Sequence, residues 1–511
     1  MKKQYMKISD IRFLLCFFTC FSFISLLICS KCSFIYPFND WYDANILFTL
    51  GKALMNGRIP YVDLVDQKGP YPYLLYGVAY LISHKSFLGL FILECISLSL
   101  FLFVISRSVK LYTKNGYLFL YPIVSFVTVS SSGFVHGGSI EEFSLPLIAY
   151  SVYVSLKLVR QKELKLWELL LSGFLAGILF WSKFTLCGCF LAFSVVVIAV
   201  CLKEKKIKRL FAYAGLFIAG CITASVPWFV FFYARKSVNA FLNSYLISNT
   251  FDYTNNVEMS LIERLFLIVK VSLKFYLKKG NLFLTFCVFA GIVAFMFLSR
   301  KKVSIFEKIS CLLIFLAVNL SVFFSGDAHG YYGLVSAAFL LFFILSVTII
   351  IDDKEKISDI LKNPLPVFLA IAAGVLLSFL ISDNTYLLKY KKSDIPQYEF
   401  AEIINKYEDK SLLNYKFMDG GFYTVLGTVP ETKEYCTLNR NYNGIVEIQK
   451  KYLAEKKTNF VVTWYEFPIE DDNEIRGKFP EVSENYEMVK SDIYLIESGY
   501  RTYSLWIKKE N

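Results

Sequence analysis

Long apolar runs constrain this chain more than any other feature of its sequence. Such runs recur along the 511 residues, and a helix of roughly 17–25 apolar residues crosses the hydrocarbon core of a bilayer. Because lipid offers the backbone no hydrogen-bond partners, a segment that crosses it must be helical. We predict eleven spanning helices, at residues 11–30, 86–106, 116–131, 143–158, 167–181, 184–202, 210–233, 281–298, 309–324, 333–351 and 365–381.

The distribution of charge sets the predicted topology. The net charge is +12, and lysines and arginines cluster in short loops between apolar runs, as at residues 203–209 and 300–302. Such loops stay in the cytoplasm, so we expect a cytoplasmic N-terminus and no nucleic-acid partner. The first run lacks a small-residue cleavage site and predicts an uncleaved helix. The predicted outer loops are residues 30–85, 131–142, 234–280 and 325–332.

Composition divides the chain in two. Residues 1–382 carry the apolar runs and predict an all-α polytopic membrane domain in contact with membrane lipids. Residues 383–511 are charged and tyrosine-rich, which predicts a small extracytoplasmic α/β domain. The helices predicted there are 399–407 and 446–454, and the predicted strands are 460–465 and 503–507.

Two outer segments predict helices that do not cross the membrane. Residues 72–83 are apolar but too short to span, which favours a re-entrant or surface helix. Residues 261–279 mix apolar and charged side chains and predict a helix in the interface plane. Ten of the twelve cysteines lie in apolar runs and are expected to pack as small apolar groups. Cys32 and Cys436 lie in polar outer segments, where a disulfide between them is possible.

The first outer loop concentrates charged residues beside the membrane. Asp40 and Asp43 follow the first span closely, and the loop continues with G-R-I-P-Y-V-D at residues 57–63 and K-G-P at residues 68–70. Charged side chains at a bilayer edge are costly unless they are paired or hydrated, so the loop is a candidate functional site. A merely polar outer loop is the alternative.

These motifs, in this order, resemble the GT-C superfamily of polytopic glycosyltransferases, in its protein-mannosyltransferase and aminoarabinose-transferase branch (glycosyltransferase family 39). Members carry an acidic residue after the first span, then a G-x-x-P-Y-x-D stretch and a K-[GP]-P turn. The resemblance covers residues 1 to about 350 and leaves out the tail. It implies a polyprenyl-phosphate sugar donor, with Asp43 as the base that takes the acceptor's proton and Lys68 at the phosphate. Asp40 is the alternative base.

The resemblance extends to three further positions. Glu141 and Glu142 stand where the family places an acidic residue, which would orient the acceptor or contact a metal; a polar helix start is the alternative. Tyr331 and Tyr332 match a tyrosine pair that contacts the lipid phosphate, although tyrosines also anchor helices at membrane interfaces. Lys183 would add to the phosphate pocket or extend its ammonium to the interface.

A divalent cation is possible, but the sequence assigns no cofactor. His136, His329, Asp327 and Glu141 offer side chains that bind metals, yet nothing in their spacing requires a cation. Glu94 lies inside the second predicted span, where we expect it to face the bundle interior, and it is assigned no role.

The sequence therefore favours an inverting glycosyltransferase that moves a hexose or pentose from a polyprenyl-phosphate donor on the outer membrane face. The acceptor would be a cell-envelope polymer, a lipid or a protein. A transporter or flippase of envelope precursors is the main alternative, but it predicts polar spans and internal repeats that the sequence does not display. An assembly protein and an oligosaccharide ligase or polymerase are further alternatives. We expect a bacterial cell membrane, because no eukaryotic sorting signal is evident.

Overall fold

The protein is mostly helical. In the computed structural model the chain is described for residues 11–113, 115–252, 259–326, 329–439, 444–496 and 499–510, without the side chains of 251, 252, 355, 356 and 496. The α-helices are α1 Ile11–Cys29, α2 Tyr42–Met55, α3 Pro70–Ile82, α4 Leu88–Val109, α5 Leu120–Ser130, α6 Ile140–Gln161, α7 Leu166–Lys183, α8 Gly188–Lys203, α9 Ile207–Ala234, α10 Val238–Leu242, α11 Leu261–Tyr276, α12 Leu282–Phe297, α13 Ile305–Val322, α14 Leu340–Asp352, α15 Glu355–Leu361, α16 Pro364–Ile381, α17 Pro396–Ile404, α18 Phe422–Leu426, α19 Ile445–Ala454, α20 Asp472–Lys478 and α21 Pro480–Ser483. Short 3-10 helices lie at Phe184–Cys187, Lys279–Asn281, Gly330–Phe339, Thr385–Lys389 and Lys392–Asp394, and a π-helix at Asn243–Asp252.

Each predicted spanning segment contains a helix. Within the described ranges, nine helical segments are long and apolar enough to cross a membrane. One of them, Leu166–Lys203, is 38 residues long and covers two predicted spans, because the 3-10 turn Phe184–Cys187 joins α7 to α8. The segment predicted at 116–131 is the shorter apolar helix α5. The chain is therefore a multi-pass membrane protein.

The chain divides into two compact units. Unit 1 consists of Met1–Ser30, Leu93–Val230 and Thr254–Thr385. Unit 2 consists of Lys31–Ile92, Phe231–Tyr253 and Tyr386–Asn511. Unit 2 thus combines the predicted first outer loop with the tail, whereas the predicted boundary between residues 382 and 383 stays a prediction.

Unit 1 is a bundle of apolar helices. Its helix α6 is buried along most of its length and packs against α8 and the 3-10 segment Gly330–Phe339. Helices α7 and α9 approach closely at two glycines. A methyl group on Gly173 would lie 1.9 Å from the Phe217 carbonyl oxygen, and one on Gly220 would lie 2.1 Å from that of Leu170. Small residues allow such backbone approach between helices in lipid.

Unit 2 is built around α2. The residues from Asp43 to Ala53 are all buried, although several of them are polar. Helix α3 packs along α2, and a methyl group on Gly51 would lie 2.5 Å from the Gly77 nitrogen. Only a glycine permits this contact, which brings the two helices of the first outer loop together.

Buried polar side chains of α2 bond to the tail. The Thr49 hydroxyl donates to Asp419 Oδ2 at 2.6 Å, and the Lys52 ammonium donates to the Tyr423 carbonyl oxygen at 2.5 Å. A buried polar group is costly without a hydrogen-bond partner, so the tail residues complete the environment that α2 needs.

The tail contains a four-stranded sheet. Strand β1 (Leu412–Asn414) pairs in parallel with β2 (Phe460–Tyr465), and β4 (Gly499–Lys508) pairs antiparallel with both β2 and β3 (Tyr486–Ile496), giving the order β1-β2-β4-β3. One face carries Trp506 and the apolar core of the tail. Because side chains alternate along a strand, residues of the opposite register, including the Trp464–Tyr503 pair, occupy the other face.

The predicted elements outside the spans are confirmed as elements. The tail helices expected at 399–407 and 446–454 are α17 and α19, and the expected strands are β2 and part of β4. The segments 72–83 and 261–279 correspond to α3 and α11. Helix α11 begins at a reciprocal cap between Ser260 and Glu263. Strands β1 and β3 were not predicted.

The possible disulfide between Cys32 and Cys436 does not form. Both thiols are buried, and no cysteine in the described ranges is in a disulfide. Cys32 Sγ instead lies 3.2 Å from the Asn39 side-chain nitrogen, from which it accepts a hydrogen bond. Burial raises the pKa of the Cys436 thiol well above its ordinary value, which keeps it protonated.

Candidate active site

Asp43 lies at the start of a helix that is buried on all sides. Helix α2 begins at Tyr42, directly after Trp41 in an extended conformation, so Asp43 falls in the first turn. The unpaired backbone N–H groups of a first turn favour a carboxylate. The Asp43 side chain is only 8% exposed, so the surrounding protein covers most of the carboxylate.

Lys68 is the cation that faces Asp43. Its Nζ lies 2.9 Å from Asp43 Oδ1 and 4.0 Å from Asp66 Oδ1. Burial alone would lower the pKa of Lys68, but the charges of Asp43 and Asp66 outweigh burial and raise the pKa above its ordinary value. Lys68 therefore stays an ammonium ion, and the two residues that the sequence analysis paired are in direct contact.

The backbone around Lys68 is fixed by hydrogen bonds. The Tyr61 hydroxyl donates to the Lys68 carbonyl oxygen at 2.7 Å, and the Tyr73 hydroxyl lies 2.8 Å from the same oxygen. The Asn249 side chain donates to the neighbouring Gln67 carbonyl oxygen at 2.6 Å. Pro70 then starts α3 at the position where a helix tolerates proline. The K-G-P turn thus holds the lysine in one place.

Asp40, the alternative base, is engaged elsewhere in unit 2. Its Oδ1 lies 2.8 Å from Lys31 Nζ, and its Oδ2 accepts from the Tyr386 hydroxyl at 3.3 Å. Lys31 Nζ also donates to the Tyr386 hydroxyl at 3.2 Å. The Lys31 side chain has no exposed surface, and this triad joins the start of the first outer loop to the start of the tail.

In unit 1, Glu141 pairs with Lys183. A turn through Gly137 and Gly138, both with positive φ, precedes α6, and Ser139 caps the helix. Glu141 in the first turn has its Oε1 2.6 Å from the Nζ of Lys183, the last residue of α7. The Glu141 side chain is 1% exposed and that of Lys183 21%.

The two tyrosines of the 3-10 segment surround the same lysine. Lys183 Nζ lies 3.3 Å from the ring centroid of Tyr332 and 5.7 Å from that of Tyr331. The His329 ring stacks on Tyr331 at 5.7 Å between centroids. The face of an aromatic ring attracts a cation. Lys183 and three other residues predicted from the sequence therefore form one cluster, and these three are Glu141, Tyr331 and Tyr332.

Glu142 is not part of that cluster. Its Oε2 accepts from the Gly138 backbone N–H at 2.9 Å, and it neighbours Glu94 inside the bundle. Glu94 is fully buried, as expected for a residue facing the bundle interior, and accepts from the Ser30 hydroxyl at 2.8 Å. These contacts give Glu142 a structural environment that differs from that of Glu141.

Solved structures share this architecture. The chain aligns with the crystal structure of ArnT from Cupriavidus metallidurans bound to undecaprenyl phosphate, over 97% of both chains, with a TM-score of 0.58 and 11% identity. The apo state of that protein aligns over 97% of this chain and 98% of that chain, with a TM-score of 0.59 and 11% identity. The chain has the GT-C fold. No protein-family profile and no curated protein sequence matches it.

The side chains suggested as metal ligands do not form a metal site in the part of the chain that the structure describes. Across residues 11–113, 115–252, 259–326, 329–439, 444–496 and 499–510, no group of three or more His, Cys, Asp or Glu side chains is placed to hold a metal ion. Asp327, one of the four suggested ligands, lies outside the described residues. His136 is buried.

Three residues at the candidate sites of this chain were not singled out from the sequence. Asp66 is the second carboxylate beside Lys68, Lys31 is the partner of Asp40, and Arg501 contacts Tyr42 next to Asp43. The signal for Lys31 was available, because a lysine directly after an apolar span and nine residues before an aspartate is suited to a local ion pair. Arg501 is separated from Tyr42 by 459 positions, and no local pattern links them.

Proposed function

We propose that this protein is a glycosyltransferase that moves a sugar from a polyprenyl-phosphate donor to an acceptor on the outer face of a bacterial membrane. The observation that carries the proposal is the buried Asp43 carboxylate at 2.9 Å from the Lys68 ammonium, in a chain with the GT-C fold. A solved protein of this fold binds undecaprenyl phosphate, which supports a donor lipid of that class. The outer-face location rests on the positive-inside pattern.

The proposed reaction is a single displacement. The acceptor hydroxyl oxygen attacks the anomeric carbon, the bond from that carbon to the phosphate oxygen breaks, and polyprenyl phosphate leaves with the bonding electrons. Asp43 takes the hydroxyl proton as the new bond forms. A displacement from the opposite side inverts the configuration of the anomeric carbon.

Lys68 serves the leaving group in this proposal. Its ammonium is held by Asp43 and Asp66, and it offers hydrogens to a phosphate oxygen as negative charge develops there. Movement of the Lys68 ammonium towards the phosphate also frees an Asp43 oxygen to accept the proton. One ion pair therefore prepares both the base and the cation.

The Lys183 cluster is a separate assignment. We propose that Lys183, Tyr331 and Tyr332 bind phosphate, because an ammonium held by one carboxylate and two tyrosine rings can still donate to an anion. Glu141 then positions Lys183. Glu142 has contacts of its own and stays a weaker candidate for acceptor orientation.

The decisive experiment compares two buried aspartates. Full-length protein in detergent is given a panel of labelled undecaprenyl-phosphate hexoses and pentoses with a cell-envelope extract as acceptor source, and donor consumption is measured. We expect Asp43→Asn to reduce consumption by about 100-fold or more, the range for a lost general base. Asp40→Asn is the matched control, since Asp40 is also buried and lysine-paired, and it should retain most of the turnover.

Three results would contradict the proposal or part of it. Uptake or flipping of the labelled lipid without donor consumption favours a transporter. Full turnover by both variants removes Asp43 and Asp40 from the chemistry. Loss of turnover only in Asp40→Asn, with both proteins showing the wild-type unfolding midpoint, makes Asp40 the base.

A further inference from the structure

A cationic aromatic surface in unit 2 includes Tyr42, the residue before Asp43. It consists of Tyr42, Trp464, Arg501 and Tyr503, and we name it the Arg501 platform. Arg501 donates a hydrogen bond to the Tyr42 hydroxyl, and its guanidinium lies 5.3 Å from the Tyr42 ring centroid and 4.7 Å from that of Trp464. Tyr42, Trp464 and Arg501 are all partly exposed, so a ligand can reach the platform.

The sheet register explains how these residues meet. Trp464 of β2 is directly opposite Tyr503 of β4, so both side chains lie on the same face. Arg501 is two residues before Tyr503 and shares that face, because side chains alternate along a strand. Phe417 is buried and packs against the rings of Trp464 and Tyr503, at 6.4 and 6.0 Å between centroids.

Arg501 has no counter-charge among the described residues. No carboxylate there lies within ion-pair distance of its guanidinium, whose contacts are the Tyr42 hydroxyl and two aromatic faces. Burial raises the pKa of the Tyr42 and Tyr503 hydroxyls, so neither is a phenolate that could neutralise the arginine. The charge of Asp40 also raises the pKa of both tyrosines, but Asp40 is already paired with Lys31.

We propose that the Arg501 platform binds the acceptor, and that the acceptor is a saccharide that carries an acidic group, either a carboxylate or a phosphate. The planar guanidinium matches both anions with two parallel hydrogen bonds. The partly exposed rings of Trp464 and Tyr42 offer apolar surface to the C–H face of a sugar ring. This inference rests on the proposed transferase function.

The position of the platform gives it a role in acceptor delivery. Tyr42 and Asp43 are consecutive residues, with Cα atoms about 3.8 Å apart, in the same first turn of α2. A saccharide of several units that stacks on Tyr42 with one ring can therefore extend another towards the proposed base. The tail contributes Trp464 and Arg501, which gives this domain a function in acceptor recognition.

The opposite face of the same sheet supplies a matched control. Lys478 Nζ lies 5.1 Å from the ring centroid of Tyr465, the residue after Trp464. Tyr465 packs towards the apolar core of the tail. Lys478 and Tyr465 therefore form a cation–ring contact like that of Arg501 and Trp464, but on the other face of the sheet. Lys478→Gln removes one positive charge from the tail without altering the platform.

The test measures binding to full-length protein in detergent by isothermal titration calorimetry. The probes are a tetrasaccharide containing glucuronate, its carboxyl-reduced neutral counterpart, and the neutral tetrasaccharide carrying a terminal phosphate. We expect at least one acidic probe to bind about tenfold or more tighter than the neutral one, which is the range for a charge-assisted hydrogen bond. The stronger of the two acidic probes then distinguishes carboxylate from phosphate recognition.

Variants locate the binding. Arg501→Gln should abolish the preference for the acidic probe, Arg501→Lys should keep part of it, and Trp464→Leu should weaken acidic and neutral probes together. Lys478→Gln should bind like the wild type. Unfolding midpoints identify any variant that fails to fold, and Arg501→Lys, which keeps the charge, then carries the comparison.

Several outcomes would overturn the inference. They are equal affinity for acidic and neutral probes, no binding of any probe, and an unchanged preference in Arg501→Gln. Binding needs no turnover, whereas donor consumption by Asp43→Asn tests the chemistry without Arg501. Failure of the inference and failure of the proposed function are therefore distinguishable.

Discussion

Lys68 in unit 2 faces two carboxylates, whereas Lys183 in unit 1 faces one carboxylate and the rings of two tyrosines. The first group carries a net negative charge when all its members are ionised. One of its carboxylates can therefore take up a proton while the other still balances the lysine. Two carboxylates beside one ammonium suit proton transfer.

The second group is electrically neutral. Its carboxylate is almost fully buried and lies 2.6 Å from the Lys183 ammonium, while an aromatic face covers another side of the cation. An aromatic ring attracts a cation without accepting its protons as a carboxylate does. This arrangement suits a lysine that holds an anion and does not take part in proton transfer. Similar ion pairs thus favour different chemistry.

The largest effect on stability is expected for Lys68→Met. The substitution leaves Asp43 and Asp66 buried without a cation, and breaking a buried ion pair in this way costs about 3–5 kcal/mol. Urea unfolding of the variant in detergent measures the loss. Adding Asp43→Asn to Lys68→Met should recover part of it, because one uncompensated charge is then removed. An unchanged free energy of unfolding would show that the carboxylates do not depend on Lys68.

A smaller loss is expected for Lys183→Met. This substitution leaves one carboxylate, Glu141, without its cation, and we expect a loss of about 3 kcal/mol, the lower end of the range for a broken buried pair. The same unfolding measurement applies, and Glu141→Gln in combination should restore most of the loss. A cost equal to or above that of Lys68→Met would contradict the proposed difference between the two groups.

The tyrosines beside Lys183 should affect ligand affinity more than stability. Tyr332 is closer to the ammonium than Tyr331, so Tyr332→Leu should weaken undecaprenyl phosphate binding by about three- to tenfold, the range for one cation–π contact. Tyr331→Leu is the matched control with a smaller expected effect. Tyr332→Phe keeps the ring and separates its contribution from that of the hydroxyl. Equal losses in both leucine variants would argue against the cation–π contact.

The smallest effect concerns a third lysine, Lys52, which bonds to a carbonyl oxygen inside unit 2. Burial lowers its pKa to about 7, with Asp419 opposing the shift, while the unfolded chain keeps the ordinary value near 10.5. Between these values the unfolded state binds more protons, so this contribution to stability rises with pH and is lost as pH falls towards 7.

The Lys52→Met variant tests that pH dependence. From pH 7 to pH 8 the unfolding midpoint of the wild type should rise relative to that of the variant by about 2–4 °C, as expected for a change of about 1 kcal/mol. Measuring the difference cancels the titration of groups common to both proteins. A difference that does not vary with pH would mean that Lys52 stays protonated in the folded protein.

Sequence patterns predicted what depends on local composition. Apolar runs gave the helices, since lipid leaves no other backbone arrangement, and the order of short motifs gave the GT-C fold and the residues that now pair, Asp43 with Lys68. Strand β3 escaped prediction because Lys490 and Asp492 interrupt its apolar pattern. It forms because β4 pairs with it along almost its whole length.

The remaining site features depend on contacts between distant segments. Asp40 and Asp43 both follow the first span closely, but Asp40 pairs with Lys31 and Tyr386, whereas Asp43 pairs with Lys68. Glu141 and Glu142 are adjacent, yet one faces Lys183 and the other the Gly138 backbone. Neighbouring residues on a helix point in different directions, so each partner is decided by packing that the local sequence does not contain.

The links between α2 and the tail also have a consequence for biosynthesis. Thr49 and its partner Asp419 are separated by 370 positions. Translation at about 5–20 residues per second leaves the hydroxyl of Thr49 without this bond for roughly 20–70 s. The Lys52 ammonium waits a similar time for Tyr423. The helix that bears Asp43 therefore matures only after the last spanning segment has been made, and a nascent chain released before the tail emerges cannot complete it.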